Sequence, residues 1–256
     1  MTRDVLRYKS LVKNLVYKDL KLKYRGSVLG VAWSLANPLL LILVYTIAFK
    51  YVLRVEQDNY AYFLLVGLLP WNFFAGALLA STGAIVANGH LIKKVYFPRE
   101  ILPIATVLFG FAQFLLALIV FLPALILISR VPVGWSALLF VPLLALHLLF
   151  TVGLAFALSA LTTVFRDVAH FTDVALLLLF WMTPIIYPVT MAPSQLRLFF
   201  RMSPMAAFTV AYQDVLFWSR VPDLSTVATI CLWTAGALVI GHTVFGSYSA
   251  TFAEDV

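Results

Sequence analysis

Six stretches of the chain contain no Lys, Arg, Asp or Glu: Gly26 to Phe49, Asn59 to Ile92, Ile101 to Ser129, Val131 to Phe165, Val174 to Leu196 and Leu224 to Ala253. About 20 predominantly apolar residues in a helix cross a hydrocarbon core roughly 30 Å thick. Each stretch reaches that length, so the pattern predicts six helical spans. The apolar runs are continuous, not alternating in segments of about ten residues, which excludes a membrane β-barrel. All 29 formal charges fall in the residues between these windows. A solvent that penalises a central Lys, Arg or Asp by about 2.5–3.5 kcal/mol imposes that segregation. Pro70, Pro103, Pro123, Pro142, Pro184 and Pro188 lie inside the windows, so some spans are bent or interrupted.

Two segments between or before the windows have patterns of their own. From Val5 to Leu22, the apolar residues Val5, Tyr8, Leu11/Val12, Leu15/Val16 and Leu22 recur at helical spacing, with Arg7, Lys13, Lys18 and Lys21 largely on another face. That is an amphipathic helix suited to the membrane interface. The connection from Val189 to Asp223 is too polar and proline-marked for a span, yet Met205 to Leu216 is apolar. Twelve apolar residues suit a re-entrant or interfacial helix. The expected fold is therefore an all-α membrane protein with one transmembrane domain. It comprises an amphipathic helix over 1–25, a six-span bundle over 26–247 with short re-entrant or interfacial helices before the last span, and a tail over 248–256.

Composition agrees: of 256 residues, 63% are hydrophobic and 11% charged, against roughly 45–50% and 25% in soluble domains. The net charge of +7 raises the question of nucleic acid until its location is read. Eight positives (Arg3, Arg7, Lys9, Lys13, Lys18, Lys21, Lys23 and Arg25) precede the first window. Placing that end in the cytoplasm brings Lys93, Lys94, Arg99 and Arg166 to the same side, and leaves Lys50, Arg54, Arg130, Arg197, Arg201 and Arg220 outside. Both termini are then expected in the cytoplasm. A secretory signal fits poorly, because the basic region and the apolar run after it are both too long. Nucleic acid is not an expected partner.

Candidate chemistry is mostly absent. No G-x-x-x-x-G-K-[ST] occurs, so nucleotide hydrolysis would need another subunit. His90, His147, His170 and His242 are isolated and read as structural or solvated. Ser27, Ser81 and Ser159 lack a G-x-S-x-G setting. Cys231 is the single cysteine, which excludes an internal disulfide and a multi-cysteine metal site. No ionisable Asp, Glu, Lys or Arg sits mid-window, and Asp167, Asp173 and Asp214 lie at or beyond window edges. That weakens an ion-coupled transporter, although cation sites can be built from backbone carbonyls at broken helices. The chain is expected to be a transport subunit, not an enzyme, with no catalytic residues and no metal.

Three motifs go further. The first joins the basic helix to the first span, Tyr24-Arg25-Gly26-Ser27-Val28-Leu29-Gly30-Val31-Ala32-Trp33 with Asn37-Pro38. The second is Lys93-Lys94-Val95-Tyr96-Phe97-Pro98-Arg99-Glu100-Ile101-Leu102-Pro103. The third is Phe165-Arg166-Asp167-Val168-Ala169-His170, followed by Phe180-Trp181-Met182-Thr183-Pro184-Ile185-Ile186-Tyr187-Pro188. A fourth piece runs from Ser203-Pro204 to Tyr212-Gln213-Asp214-Val215-Leu216-Phe217, and the chain ends Phe252-Ala253-Glu254-Asp255-Val256. With these motifs the chain resembles, over nearly its whole length, the transmembrane permease subunit of type 2 ABC polysaccharide exporters, which move O-antigen, capsule and teichoic acid chains. Ser203 departs from the family's more usual Asn-Pro, and the acidic ending is similar to the family's.

The resemblance implies a homodimeric permease in the bacterial cytoplasmic (inner) membrane, bound to two copies of a separate ATPase that holds ATP and Mg. No cofactor is expected in this chain. The cargo is a polyprenyl-diphosphate-linked glycan; alternatives are another cargo such as a lipid or drug, or ion-coupled transport without an ATPase. The resemblance places ATPase coupling on Lys93, Lys94, Tyr96, Phe97, Pro98, Arg99 and Glu100, in a loop that could otherwise be an ordinary positive-inside connection. Lys23 and Arg25 stand near lipid-phosphate depth, where they would recruit the lipid diphosphate or anchor the chain to anionic membrane lipids. Aromatic rings stack on the apolar faces of sugars, which makes Trp33, Trp71, Trp181 and Tyr187 channel candidates; the alternative is an interfacial aromatic belt.

Overall fold

The computed structural model describes residues 8–26, 30, 32–129, 134–191, 193, 195, 197–249 and 252. Val5 and Arg7 of the basic helix, residues 27–29 and 31 of the first motif, Arg130, and tail residues 250, 251 and 253–256 lie outside the described residues. Among the described residues all regular structure is helical. The basic helix is α1, Lys9–Tyr24. It is followed by α2, Ala32–Tyr45, which continues as a wider π-helical turn over Thr46–Val52. Then come α3, Tyr60–Thr82; the short α4, Gly89–Lys94; α5, Ile101–Ser129; and α6, Phe140–Val164, entered through a 3₁₀ turn at Trp135–Leu139. The last part holds α7, Asp167–Met182; the short α8, Arg197–Met202; α9, Pro204–Tyr212, with a π-helical turn over Gln213–Phe217; and α10, Leu224–Tyr248.

Among the described residues five segments are long and apolar enough to cross a membrane: Leu35–Val52, Tyr60–Thr82, Ile101–Ser129, Trp135–Val164 and Leu224–Tyr248. The six-span expectation thus stands at five by length. The window Val174 to Leu196 does not form one helix. Its helix α7 begins seven residues earlier, at Asp167, and ends at Met182 after 16 residues, about 24 Å at 1.5 Å per residue. Absence of charge marks where lipid is tolerated, and says nothing of where Pro184 and Pro188 stop a helix.

Helix α3 is the hub. Within its most apolar stretch 72% of residues are buried, against 28% or less in the other four. Around it, Phe73 stacks on Phe114 of α5 with ring centroids 5.4 Å apart, and Phe74 stacks on Phe150 of α6 at 5.7 Å. His147 of α6 is fully buried within this aromatic cluster, its Nδ1 3.2 Å from the Tyr212 hydroxyl and its ring 4.7 Å from that of Phe208. His90, His170 and His242 are exposed.

The chain after α7 leaves helical geometry inside the bundle, where its carbonyls need partners. The Tyr60 hydroxyl donates to the Ile186 carbonyl (2.8 Å), the Gln213 amide to that of Pro184 (2.9 Å), and the Tyr62 hydroxyl to that of Leu216 (2.9 Å). Gly67 of α3 makes room: a Cβ there would stand 3.3 Å from Ile185 Cγ2 and 3.4 Å from its Cα. The connection then folds back through α8 and α9, with α9 packed against α3, α6 and α10.

Helices α6 and α10 come into direct backbone contact. A methyl group on Gly241 would overlap the Gly153 carbonyl oxygen, and one on Gly153 would lie 2.5 Å from the Ala237 carbonyl carbon. Ala237 and Gly241 are four residues apart, a small-xxx-small spacing that lets backbones touch. Gly241→Ala should therefore cost at least the roughly 1–3 kcal/mol of core overpacking. A marked fall in the thermal midpoint of detergent-solubilised protein checks this, with Gly246→Ala, where a Cβ meets nothing within 4 Å, remaining at the parental value.

Candidate functional site

A cavity of about 580 Å³ opens where α1, α2, α3 and α5 meet. Its walls are apolar where α3 and α5 face each other, through Leu69, Phe73, Phe109 and Phe114. Small residues create the space: a Cβ on Gly110 would sit 3.4 Å from that of Ala77. Set into this apolar surface are one cation and several neutral polar groups, Lys23, Asn37, Asn72, Thr106 and Gln113. The Lys23 ammonium donates to the Gln113 side-chain oxygen and lies 5.9 Å from the Phe109 ring centroid. Desolvation at this site lowers the Lys23 pKa below its ordinary value, a cost that a bound anion would reverse. An apolar pocket with a cation and amides at one end suits an amphiphile whose head is polar and anionic.

Two of the residues singled out from the sequence come together here, Lys23 and Trp33; the indole of Trp33 is 56% exposed. Arg25 is exposed just past α1 but does not line the cavity. Trp71 is buried, between Phe74 (5.9 Å) and Phe180 (5.6 Å), and presents almost no surface. Trp181 is exposed at the end of α7, and the Tyr187 hydroxyl donates to its carbonyl at 3.1 Å. Sequence reasoning overlooked Asn72 and Gln113, and quoted Asn37 only as part of the first motif. Their signal was an uncharged amide inside a charge-free window, which a search for charges does not register.

At the basic end, the chain between α3 and α5 forms a 3₁₀ turn, Val86–Asn88, then α4 and an extended stretch. Lys93, Lys94, Val95 and Tyr96 are exposed, and Tyr96 almost wholly so at 97%. Phe97 is buried and pins the loop to the core, while Pro98, Arg99 and Glu100 are half-buried. Two contacts tie the loop to its neighbours: Lys18 of α1 donates to the Asn88 side chain at 3.4 Å, and Arg99 donates to the Ser249 carbonyl past α10. Arg99 also lies over the ring of Phe252, 6.0 Å from its centroid.

Residues 10–217 match the family model described as ABC-2 type transporter. The chain belongs to this family. It is 33% identical over 264 residues to the O-antigen export system permease protein RfbA of Myxococcus xanthus, covering 100% of this chain and 99% of the relative. To the protein of the same name from Klebsiella pneumoniae it is 33% identical over 238 residues, 93% and 91% of the two chains. The capsule polysaccharide export inner-membrane protein CtrC of Neisseria meningitidis is 24% identical over 257 residues, 96% and 94%.

Within this ABC-2 transporter, the departure at Ser203 is explained by its backbone setting. Its hydroxyl caps α9 by accepting from the Ala206 amide at 3.5 Å, with Pro204 in the first turn; Asn and Ser serve equally as N-caps. Arg99 has a more specific role, since its cation meets the carbonyl end of α10. Replacing it by Ala removes a charge-assisted hydrogen bond worth about 1.5–3 kcal/mol. Amides around Ser249 should then exchange hydrogen roughly tenfold faster or more, measured by mass spectrometry on the purified protein.

Proposed function

We propose that this chain is the permease half of an ATP-driven exporter that moves polyprenyl-diphosphate-linked polysaccharide, of O-antigen, capsule or teichoic acid type, across the bacterial cytoplasmic membrane. The observation that carries the reading is the cavity that pairs Lys23 and three side-chain amides with apolar walls at the basic end of the bundle. The relatives named for O-antigen and capsule polysaccharide export support the cargo class. Lys23 receives the lipid diphosphate, with Arg25 nearby; Trp33 contacts the first sugars, and Trp181 and Tyr187 serve further along the path.

The chain lacks a phosphate-cradling loop, so ATP and Mg belong to a separate ATPase, two copies of which serve a homodimer of this permease. The exposed row Lys93, Lys94 and Tyr96 is the docking surface, with Phe97, Pro98, Arg99 and Glu100 transmitting motion into α5. Exposed apolar residues on α2 (Leu40, Leu43 and Val44) and on α7 (Val174, Leu177 and Leu178) support pairing with a second copy in the membrane.

We read α7 as a sixth, short crossing and both termini as cytoplasmic. Support comes from contacts at opposite ends of the bundle: Lys18 with Asn88 and Arg99 with Ser249 at one end, Tyr60 with Ile186 at the other. A tag at the C-terminus should resist protease added to spheroplasts.

Deleting the gene should abolish surface polysaccharide and leave its polyprenyl-linked form on the cytoplasmic side; no accumulation would sink the cargo assignment. Lys93→Glu combined with Lys94→Glu should reduce co-purification of the ATPase several-fold without lowering the amount of permease in the membrane. Arg25→Gln should impair export while insertion is unchanged.

A further inference from the structure

A second cavity, of about 320 Å³, lies at the other end of the bundle, between α8, α9 and the start of α10. Its position opposite the basic end follows from its neighbours: Tyr62 at the start of α3 donates to Leu216, and Ser136 before α6 donates to Val215 at 3.3 Å. A volume of this size is at the small end of ligand pockets, which run from about 300 to 1,000 Å³.

The polar groups around it are of both hydrogen-bonding kinds. Arg201 and Arg220 bring donors only, Asp223 brings acceptors only, and the hydroxyls of Thr190, Ser225 and Thr226 do both. Asp214 is buried and fixes Arg220, which donates to its Oδ1 through Nε (2.8 Å) and Nη2 (2.7 Å). The local backbone enforces this: a π-helical turn ends at Phe217 and Ser219 adopts a left-handed φ of 51°, turning Arg220 back so that its amide also reaches the Asp214 carbonyl at 2.8 Å. Asp223 stands at the N-cap of α10, yet its side chain makes no capping hydrogen bond. Arg201 is exposed and makes no ion pair among the described residues. Phe200 and Val210 give the cavity an apolar floor.

Two guanidinium groups and two carboxylates leave no net charge, so the cavity offers an anionic headgroup nothing like the Lys23 site. A sugar unit has what it does offer: hydroxyls that each donate and accept, vicinal pairs that match planar guanidinium and carboxylate groups, and apolar C–H faces. We propose that this outer cavity is a glycan-binding site that holds one unit of the emerging polysaccharide, separate from the lipid-headgroup cavity. The inference rests on the export function proposed above and adds the place where the polymer is held on its way out. Such a site is weak by necessity, since a path conducts only when each stop also releases.

The test is occupancy by the cell's own polymer. A Thr226→Cys variant, with the exposed native thiol removed as Cys231→Ala, is labelled in intact cells by a membrane-impermeant maleimide admitted through a permeabilised outer envelope. Labelling should be at least threefold slower in cells making the polysaccharide than in cells whose glycan synthesis is blocked. Arg201→Ala in the same background should remove most of that difference. Equal labelling rates with and without glycan, or no labelling in either, would overturn the site. Gene deletion separates the two readings. If deletion leaves surface polysaccharide at the parental level, the export function itself fails; if deletion abolishes it and labelling rates are equal, only the outer site fails.

Discussion

The rest of this fold depends on side-chain hydrogen bonds to backbone carbonyls that leave regular α-helical geometry inside the bundle. Between Thr183 and Pro188 the chain stops being helical while still buried, and carbonyls at that depth have no water to turn to. Tyr60 and Gln213 take up those of Ile186 and Pro184, and Tyr62 takes up that of Leu216 in the π-helical turn of the returning chain. Two of the partners come from the first turn of α3 and one from the returning chain, so the break, the hub helix and the returning connection are mutually dependent. An unsatisfied buried group costs about 1–3 kcal/mol, which makes this cluster as consequential as the aromatic packing around Phe73 and Phe74.

The two ends of the bundle have opposite chemistry. The basic end is cationic and stiffened by ties from Lys18 and Arg99, and the cavity beside it combines one ammonium with amides. The far end carries an equal number of acidic and basic groups around a smaller cavity. A lipid-linked polymer has the matching asymmetry, an anionic anchor at one end and neutral hydroxyls along the rest.

Much of this was legible in the sequence. The third charge-free window, Ile101 to Ser129, coincides with α5 at both ends, because Pro103 falls in the first turn, where a missing amide costs nothing, and the helix accommodates Pro123. The window Asn59 to Ile92 is divided at Gly83 into α3 and a separate turn and short helix. Window Val174 to Leu196 contained its own break, visible as Pro184 and Pro188, but the stopping point at Met182 depends on what α3 can offer in return. Of the candidate residues, Lys23 and Trp33 share one cavity, since both flank the first span. Trp71 could be placed only by packing: its position in an apolar run is equally compatible with lipid, a channel or the core, and Phe74 and Phe180 decide for the core.

The contact of Gly153 with Gly241 has a mechanical meaning beyond close packing. At that point backbone meets backbone with no side chain to repack, and further along the same pair Phe156 packs on Phe245 with ring centroids 5.4 Å apart. Helix α10 spans 25 residues, about 37 Å of rigid rod. That rod runs from Leu224, flanked by Asp223 and Ser225 of the smaller cavity, to its C-cap Ser249, whose carbonyl Arg99 reaches, so one continuous helix joins the two ends of the molecule.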